Sequence, residues 1–325
     1  MGLPRAVVTA LCDKILSDLD PMTSLATADP LTPPCPARWP RPLAVDASIG
    51  LHACAGAAAF VLPGAELWSL GTVALNHLVL GGAGLLPRSA LLGPNLRRLP
   101  PSPAPAALAA LAAEALAIEP AEARVALTFD DGPDPHVTPQ VLDLLDAAGA
   151  RATFFCIAER AAAQPALVRD IVARGHSVQN HSTSHRHHFS LLGRRGYERE
   201  IGAAQARLAD LTGQLPHCFR APAGLRNPLL DPVLHRLDLH LVSWTRRALD
   251  TVDGDSARVL GRLTRCLAGG DILLLHDGHC RASAGGRPVV LEVLPPLLQT
   301  LRKRGLTPVT LTEAVPRRHA IQARP

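Results

Sequence analysis

Lysine is nearly missing from this chain: Lys14 and Lys303 are the only two in 325 residues, so arginine carries almost all of the positive charge. Aromatic residues are as scarce, at 3% with a single tyrosine. Proteins that hold single-stranded nucleic acid need stacking aromatics along a basic groove. The formal charge of +5 and the pI near 9.0 come without that platform, and the arginines are scattered, so nucleic acid is excluded as a partner. No CxxC pair occurs. The seven cysteines (Cys12, Cys35, Cys54, Cys156, Cys218, Cys266 and Cys280) are odd in number and stand apart, a pattern of single thiols in a reducing compartment rather than a disulfide framework. A cleavable signal peptide is also missing, because Asp13 and Lys14 interrupt "MGLPRAVVTALCDKILSDLD" before an apolar core develops.

What is present is ample apolar material, 47% of the chain, enough for one large domain plus a smaller part. Residues 1–45 read as a flexible leader, since "DPLTPPCPARWPRP" cannot hold a helix or an inner strand. Residues 46–88 contain two apolar runs, Ala47 to Ala65 and Leu67 to Pro87, joined at Pro63-Gly64. Each approaches the ~20 residues that cross a bilayer as a helix. Two readings compete: a membrane hairpin through 47–87, or two helices packed on the main domain. His52, Asn76, His77 and the wealth of Ala and Gly weigh against insertion. Arg38, Arg41, Arg88, Arg97 and Arg98 flank the pair, and the connection holds only Glu66. For a hairpin, that asymmetry places both flanks and the C-terminal domain at the cytoplasmic face of the cytoplasmic membrane. Residues 89–121 then read as a Pro/Ala-rich linker, 122–315 as the main domain and 316–325 as a tail.

From Arg124 the pattern changes to short β-rich runs alternating with amphipathic stretches. Strands are expected at 125–129, 152–157, 176–181, 218–222, 240–244, 271–276 and 307–311. Helices are expected between them, including one at "TPQVLDLLDAAG" with Thr138 as cap and Pro139 in the first turn. Seven alternations imply a parallel α/β sheet or barrel, whose functional groups gather at the C-terminal strand ends.

Those ends carry the chemistry. The first strand stops at Asp130-Asp131 and the third at His181, with His185 four residues on; the fourth carries Arg220, the fifth Trp244 with Asp250 beyond, the sixth His276. The i, i+4 spacing of "HSTSH" would put both imidazoles on one face of a helical turn. Two imidazoles and a carboxylate make an open metal site. Asp131 is the natural third ligand, which leaves Asp130 as general base. Arg246 and Arg247, just past the fifth strand, read either as a solvated pair or as an anion site for a phosphate or carboxylate.

Taken together these motifs resemble the polysaccharide deacetylases of the NodB-homology type, carbohydrate esterase family 4, over about residues 122–315. "TFDDGP" (128–133) is similar to the family's first motif, which implies Asp130 as catalytic base and Asp131 as metal ligand. "HSTSH" (181–185) matches the second, with His181 and His185 as ligands. "RAPAG" (220–224) resembles the third; it implies that Arg220 orients Asp130 while Pro222, Ala223 and Gly224 shape the groove. "WTRRALD" (244–250) is similar to the fourth, with Trp244 on the groove wall and Asp250 tuning the acid. "LLLH" (273–276) matches the fifth, with His276 as catalytic acid and Leu273 and Leu275 lining an acetyl pocket. The implied fold is an irregular (β/α)7 barrel, here preceded by the hydrophobic hairpin. The implied activity is metal-dependent removal of N-acetyl groups from an amino-sugar glycan, with zinc first and cobalt or nickel as alternatives. The fourth motif commonly closes with an aromatic after its aspartate; Thr251 stands here and alters one wall of the groove. That departure and the hairpin keep open a second substrate class, a lipid-linked sugar or glycolipid at the membrane face. The intact set of Asp130, Asp131, His181, His185, Arg220 and His276 argues against a carbohydrate-binding protein without catalysis.

Overall fold

A computed structural model describes residues 39–101 and 123–318; most of the leader, the Ala-rich stretch before the main domain and the last residues of the tail lie outside them. Among the described residues, β1 (Ala123–Asp130) is the central strand, buried from Val125 to its end. Around it run β2 (Thr153–Cys156), β3 (Ser177–Asn180), β4 (Cys218–Phe219), β5 (His240–Leu241), β6 (Arg246–Arg247), β7 (Ile272–His276) and β8 (Leu306–Pro308). The curled sheet has the order β5-β4-β3-β2-β1-β7-β6, with β8 paired to the start of β1, and every ladder is parallel. This is the expected irregular α/β barrel. One strand was not expected: β6, two arginines long, has no apolar alternation to announce it.

Strand parity sorts the side chains. Val125, Leu127 and Phe129 of β1, with Leu273 and Leu275 of β7, face outward into the main core. There they meet α3 (Thr138–Ala147) and α9 (Val289–Lys303), among the helices that wrap the sheet. Between those two lie α4 (Ala158–Ala163), α5 (Pro165–Ala173), α6 (Arg194–Thr212), α7 (Leu230–Arg236) and α8 (Ser256–Thr264). The other parity, Thr128 and Asp130 of β1 and Leu274 and His276 of β7, is left for the barrel interior. Thr138 does not cap α3. It is the first residue of the helix, and its hydroxyl accepts from the Asp134 N–H (2.8 Å) and donates to Asp277 Oδ2 (2.5 Å).

Before the barrel, α1 (Leu43–Val61) and α2 (Glu66–Leu85) pack on each other as a hairpin. Several of their polar residues pair across the hairpin or along it: Asn76 donates to Ser48 Oγ (2.8 Å), His52 Nδ1 lies 2.7 Å from the Ser48 carbonyl, and the His52 ring meets the exposed His77 ring at 3.2 Å. Many large apolar residues are bare, among them Phe60 at 92% and Trp68 at 81% exposure. Both ends are tied to the barrel. Trp39 Nε1 donates to Asp231 Oδ2 (2.8 Å) at the entry, and Arg226 N donates to the Gly84 carbonyl (3.1 Å) at the exit.

Residues 89–101 are not a free linker. Leu92 and Leu99 are buried, Leu96 bridges Val242, and Leu99 N donates to Gly270 O at 2.8 Å. The segment runs along the chain that joins the two edge strands, β5 and β6, and seals the barrel there. Sequence alone pointed to a linker because its prolines mask how few apolar residues are needed when backbone groups complete a sheet edge.

Candidate active site

Asp130 and Asp131 leave β1 in different directions. Asp130 keeps the strand parity and points inward, almost fully buried. Asp131 has a φ of 69°, so its carboxylate swings to the rim. Gly132 follows because nothing larger fits: a Cβ there would lie 2.2 Å from Asp277 Oδ2.

Asp130 is held by Arg220, whose Nη1 donates to Asp130 Oδ1 (2.6 Å) and to Thr128 Oγ1 (2.8 Å). The rest of that buried guanidinium donates to the Val242 and Ser243 carbonyls, and its Cζ lies 4.1 Å from the centre of the Phe155 ring. All three nitrogens of the fork are engaged, so the arginine is fixed and fixes Asp130 in turn.

Asp131, His181 and His185 converge, with one ligand atom from each within 4.8 Å of the others. The two histidines do not share a helical turn. Residues 181–185 form a loop in which Ser182 and His185 take left-handed backbone (φ 67° and 51°), and that loop turns both Nε2 atoms toward Asp131 Oδ1, each at 3.2 Å. His181 Nδ1 lies 2.8 Å from the Arg220 carbonyl, which can only accept, so Nδ1 carries a proton and Nε2 is the nitrogen left to serve as a ligand. Asp131 Oδ1 is buried and satisfied by no hydrogen bond of sound geometry. Burial opposes the charged form of His181, but the charge of Asp130 and the contact with Asp131 raise its pKa, and a cation bound here would take the place of the proton shared between His181 and Asp131. Burial pushes the Asp131 carboxyl up, but contact with His181, then His185 and His276, overrides it and holds the group well below the usual carboxylate range. Burial lowers His185 to about 4, which keeps its ring neutral, as a ligand must be. The donor set fits a divalent ion of the zinc type.

On the far side, His276 Nδ1 is 2.7 Å from Asp250 Oδ1, and its backbone N–H donates to Asp250 Oδ2 (2.8 Å). Burial would lower the imidazole; the Asp250 hydrogen bond and charge raise it above its ordinary value, helped by Asp130 and Asp131. Nε2 is left to the cleft.

The cleft, about 300 Å³, is lined by the two aspartates, His181, His185, His276, Ala223, Gly224, Trp244 and Arg247, among others. Three lining expectations need correction. Leu273 and Leu275 do not line it: they share one parity and point into the main core, while Leu274, in phase with His276, lines the cleft. Pro222 is buried beneath the short 3-10 turn of Pro222–Gly224 and shapes it from below rather than touching the groove. One wall lies outside the motifs. A Cβ on Gly224 would meet Pro87 at 2.6 Å and Trp244 at 2.7 Å, so the end of the hairpin segment packs at the rim.

Two supporting residues escaped sequence reasoning. Arg160 donates to the Asp131 carbonyl (2.6 Å) and contacts His279, bracing the turn of Asp131. Asp277 is fully buried under Gly132, and burial pushes it up to about 7. Its place directly after His276 in "LLLHDG" was the available signal.

The polysaccharide deacetylase family profile matches residues 117–242. A peptidoglycan-N-acetylglucosamine deacetylase of Bacillus cereus is 32% identical over 197 residues, 60% of this chain and 89% of that protein. A chitooligosaccharide deacetylase of Bradyrhizobium sp. is 32% identical over 188 residues, 56% and 85% of the two chains. Among solved structures, a family 4 carbohydrate esterase from Streptomyces lividans in complex with acetate has 33% identity and a TM-score of 0.54, covering 60% of this chain and 96% of that one.

Proposed function

Because this chain belongs to the polysaccharide deacetylase family and is thus a hydrolase of N-acetyl amide bonds, we propose that it removes acetyl groups from an N-acetylated amino sugar with a divalent metal ion. One observation carries the reading: a buried base pair, Asp130–Arg220, and a buried acid pair, His276–Asp250, flank the Asp131–His181–His185 triad in one cleft. A carboxylate held by an arginine and an imidazole held by a carboxylate, on either side of one centre, suit acid–base work.

A divalent ion held by Asp131, His181 and His185 supplies Lewis-acid polarisation of the acetamide carbonyl and makes water more acidic. Arg220 spends one donor on Asp130 Oδ1, leaving Oδ2 on the triad side, 3.9 Å from His181 Nε2. That oxygen takes a proton from the attacking water as the new C–O bond forms. His276, kept protonated by Asp250, gives its Nε2 proton to the amine nitrogen as the C–N bond breaks, releasing acetate and the free amine. Leu274 and Trp244 provide apolar wall for the acetyl methyl group. Zinc is the first candidate; cobalt and nickel suit the same donors. The test is acetate release by the purified full chain supplied with zinc, on chitooligosaccharides, peptidoglycan fragments and a polyprenyl-phosphate-linked N-acetyl sugar. Release that a chelator abolishes and zinc restores is expected; release indifferent to chelator would sink the metal reading.

A second reading, favoured by the hairpin, places this chemistry at the cytoplasmic face of a membrane. Among the described residues, α1 alone is long and apolar enough to cross, with a mean hydropathy of 1.5 and only Ser48 and Ala55 buried. Its 19 residues span about 28 Å as a helix, close to the hydrocarbon thickness of about 30 Å. The polar residues that weighed against insertion, His52, Asn76 and His77, have partners within the hairpin pair, which lowers their cost in hydrocarbon. The protein is expected to sediment with membranes and to need detergent for extraction. Recovery in the soluble fraction would reduce the hairpin to a packing element.

A further inference from the structure

Two neighbouring arginines on β6 meet opposite fates. Arg246 pairs with Asp271 (3.1 Å) and donates to the Cys266 carbonyl. Arg247, of the other parity, sits beside Leu274 in the ladder and turns into the active-site cleft. Its guanidinium carbon lies 5.3 Å from the Trp244 ring centre, and its Nε is buried with no hydrogen-bond partner. Among the described residues no carboxylate pairs with Arg247. The acids lining the cleft are committed elsewhere: Asp130 to Arg220, and Asp131 to the two histidines. A half-buried guanidinium without a counter-ion, lining the cleft of the reacting centre, is suited to receive an oxyanion.

Resting on the deacetylase reading above, we propose that Arg247 binds a phosphoryl group carried by the substrate, so that the enzyme prefers phosphorylated N-acetyl sugars to neutral glycans. Three observations converge. Arg247 is the unpaired cation of the cleft. Thr251 lines that cleft without filling it as an aromatic would. The rim is built partly by Pro87, at the end of a hairpin with an apolar outer surface. A phosphoryl group joins these facts, since it is the usual link between a sugar and a membrane lipid. It offers the guanidinium two oxygens in the spacing of its fork.

The experiment measures acetate release by the metal-loaded full chain on four carriers of one N-acetylglucosamine unit: the methyl glycoside, the 1-phosphate, a glycoside of a neighbouring uronic acid, and a polyprenyl diphosphate in detergent micelles. The wild-type kcat/KM for the phosphorylated carriers should exceed that for the methyl glycoside by about 10–100-fold, the scale of a hydrogen bond to a charged group. Arg247→Met should bring that ratio toward one, and Arg247→Lys, which keeps the charge without the fork, should retain part of it. Equal gains for the 1-phosphate and the lipid carrier assign recognition to the phosphoryl group alone. A larger gain for the lipid carrier adds the hairpin to recognition. An equal ratio in wild type and Arg247→Met, or a uronate gain matching that of phosphate, overturns the inference and leaves the deacetylase reading standing. If no carrier releases acetate, the deacetylase reading itself falls. Should Arg247→Met fail to fold, the wild-type ratios and Arg247→Lys still decide.

Discussion

Asp130→Asn lowers kcat by about 10²–10⁴-fold, the range for losing a general base, while the protein still binds one equivalent of metal. The substitution is nearly isosteric, and the amide oxygen can still accept from Arg220 Nη1, now 2.6 Å from Asp130 Oδ1. What disappears is the basic oxygen on the triad side. Asp131, His181 and His185 are untouched, so zinc content by elemental analysis should equal wild type. A thermal melt should show a modest loss, because Arg220 is buried and gives up its counter-charge while keeping its hydrogen bonds to Thr128 and the Val242 and Ser243 carbonyls. Near wild-type turnover would transfer the base role elsewhere. Loss of metal together with activity would instead make Asp130 a ligand.

The same residues show what a sequence reveals and what it hides. Asp130-Asp131, His181, Arg220 and His276 were legible because polar groups at the ends of apolar strands have no packing reason to be there. The strands themselves were legible wherever they were buried and apolar, as in β1 and β7. Parity was misjudged at Leu273 and Leu275: once His276 faces the cleft, a period of two sends Leu274 with it and the flanking leucines to the core. The HSTSH loop was misjudged because spacing alone cannot distinguish a helical turn from a loop with left-handed Ser182 and His185, though both bring the imidazoles together. β6 was invisible, since two arginines carry no periodic signal, and the strap at 89–101 was hidden because backbone hydrogen bonds rather than side-chain pattern dock it. The hairpin's polar residues weigh against insertion in the sequence; that Asn76 and His52 find partners on the facing helix is visible only in the structure.

Asp250→Asn should cost about 10–100-fold in kcat and also move the alkaline limb of the pH profile, which separates it from a purely structural lesion. Asp250 is fully buried and grips His276 twice, accepting from the ring at Nδ1 and from the backbone N–H. The active form of His276 is the protonated one, so activity falls as pH rises through its pKa. Burial alone would depress that pKa below the ordinary 6.5; the Asp250 hydrogen bond and charge are the largest opposing influences and raise it above that value. Removing the charge leaves burial less opposed, the pKa drops, and the alkaline limb shifts to lower pH. Asp130 and Asp131 still favour the imidazolium in the variant, so the shift should be partial rather than complete. The base itself is left in place, because Asp130 keeps its Arg220 partner. A uniform drop in kcat at every pH, with both limbs unmoved, would show that Asp250 only positions the ring. A profile shifted at the acid limb instead would reassign the acid and the base.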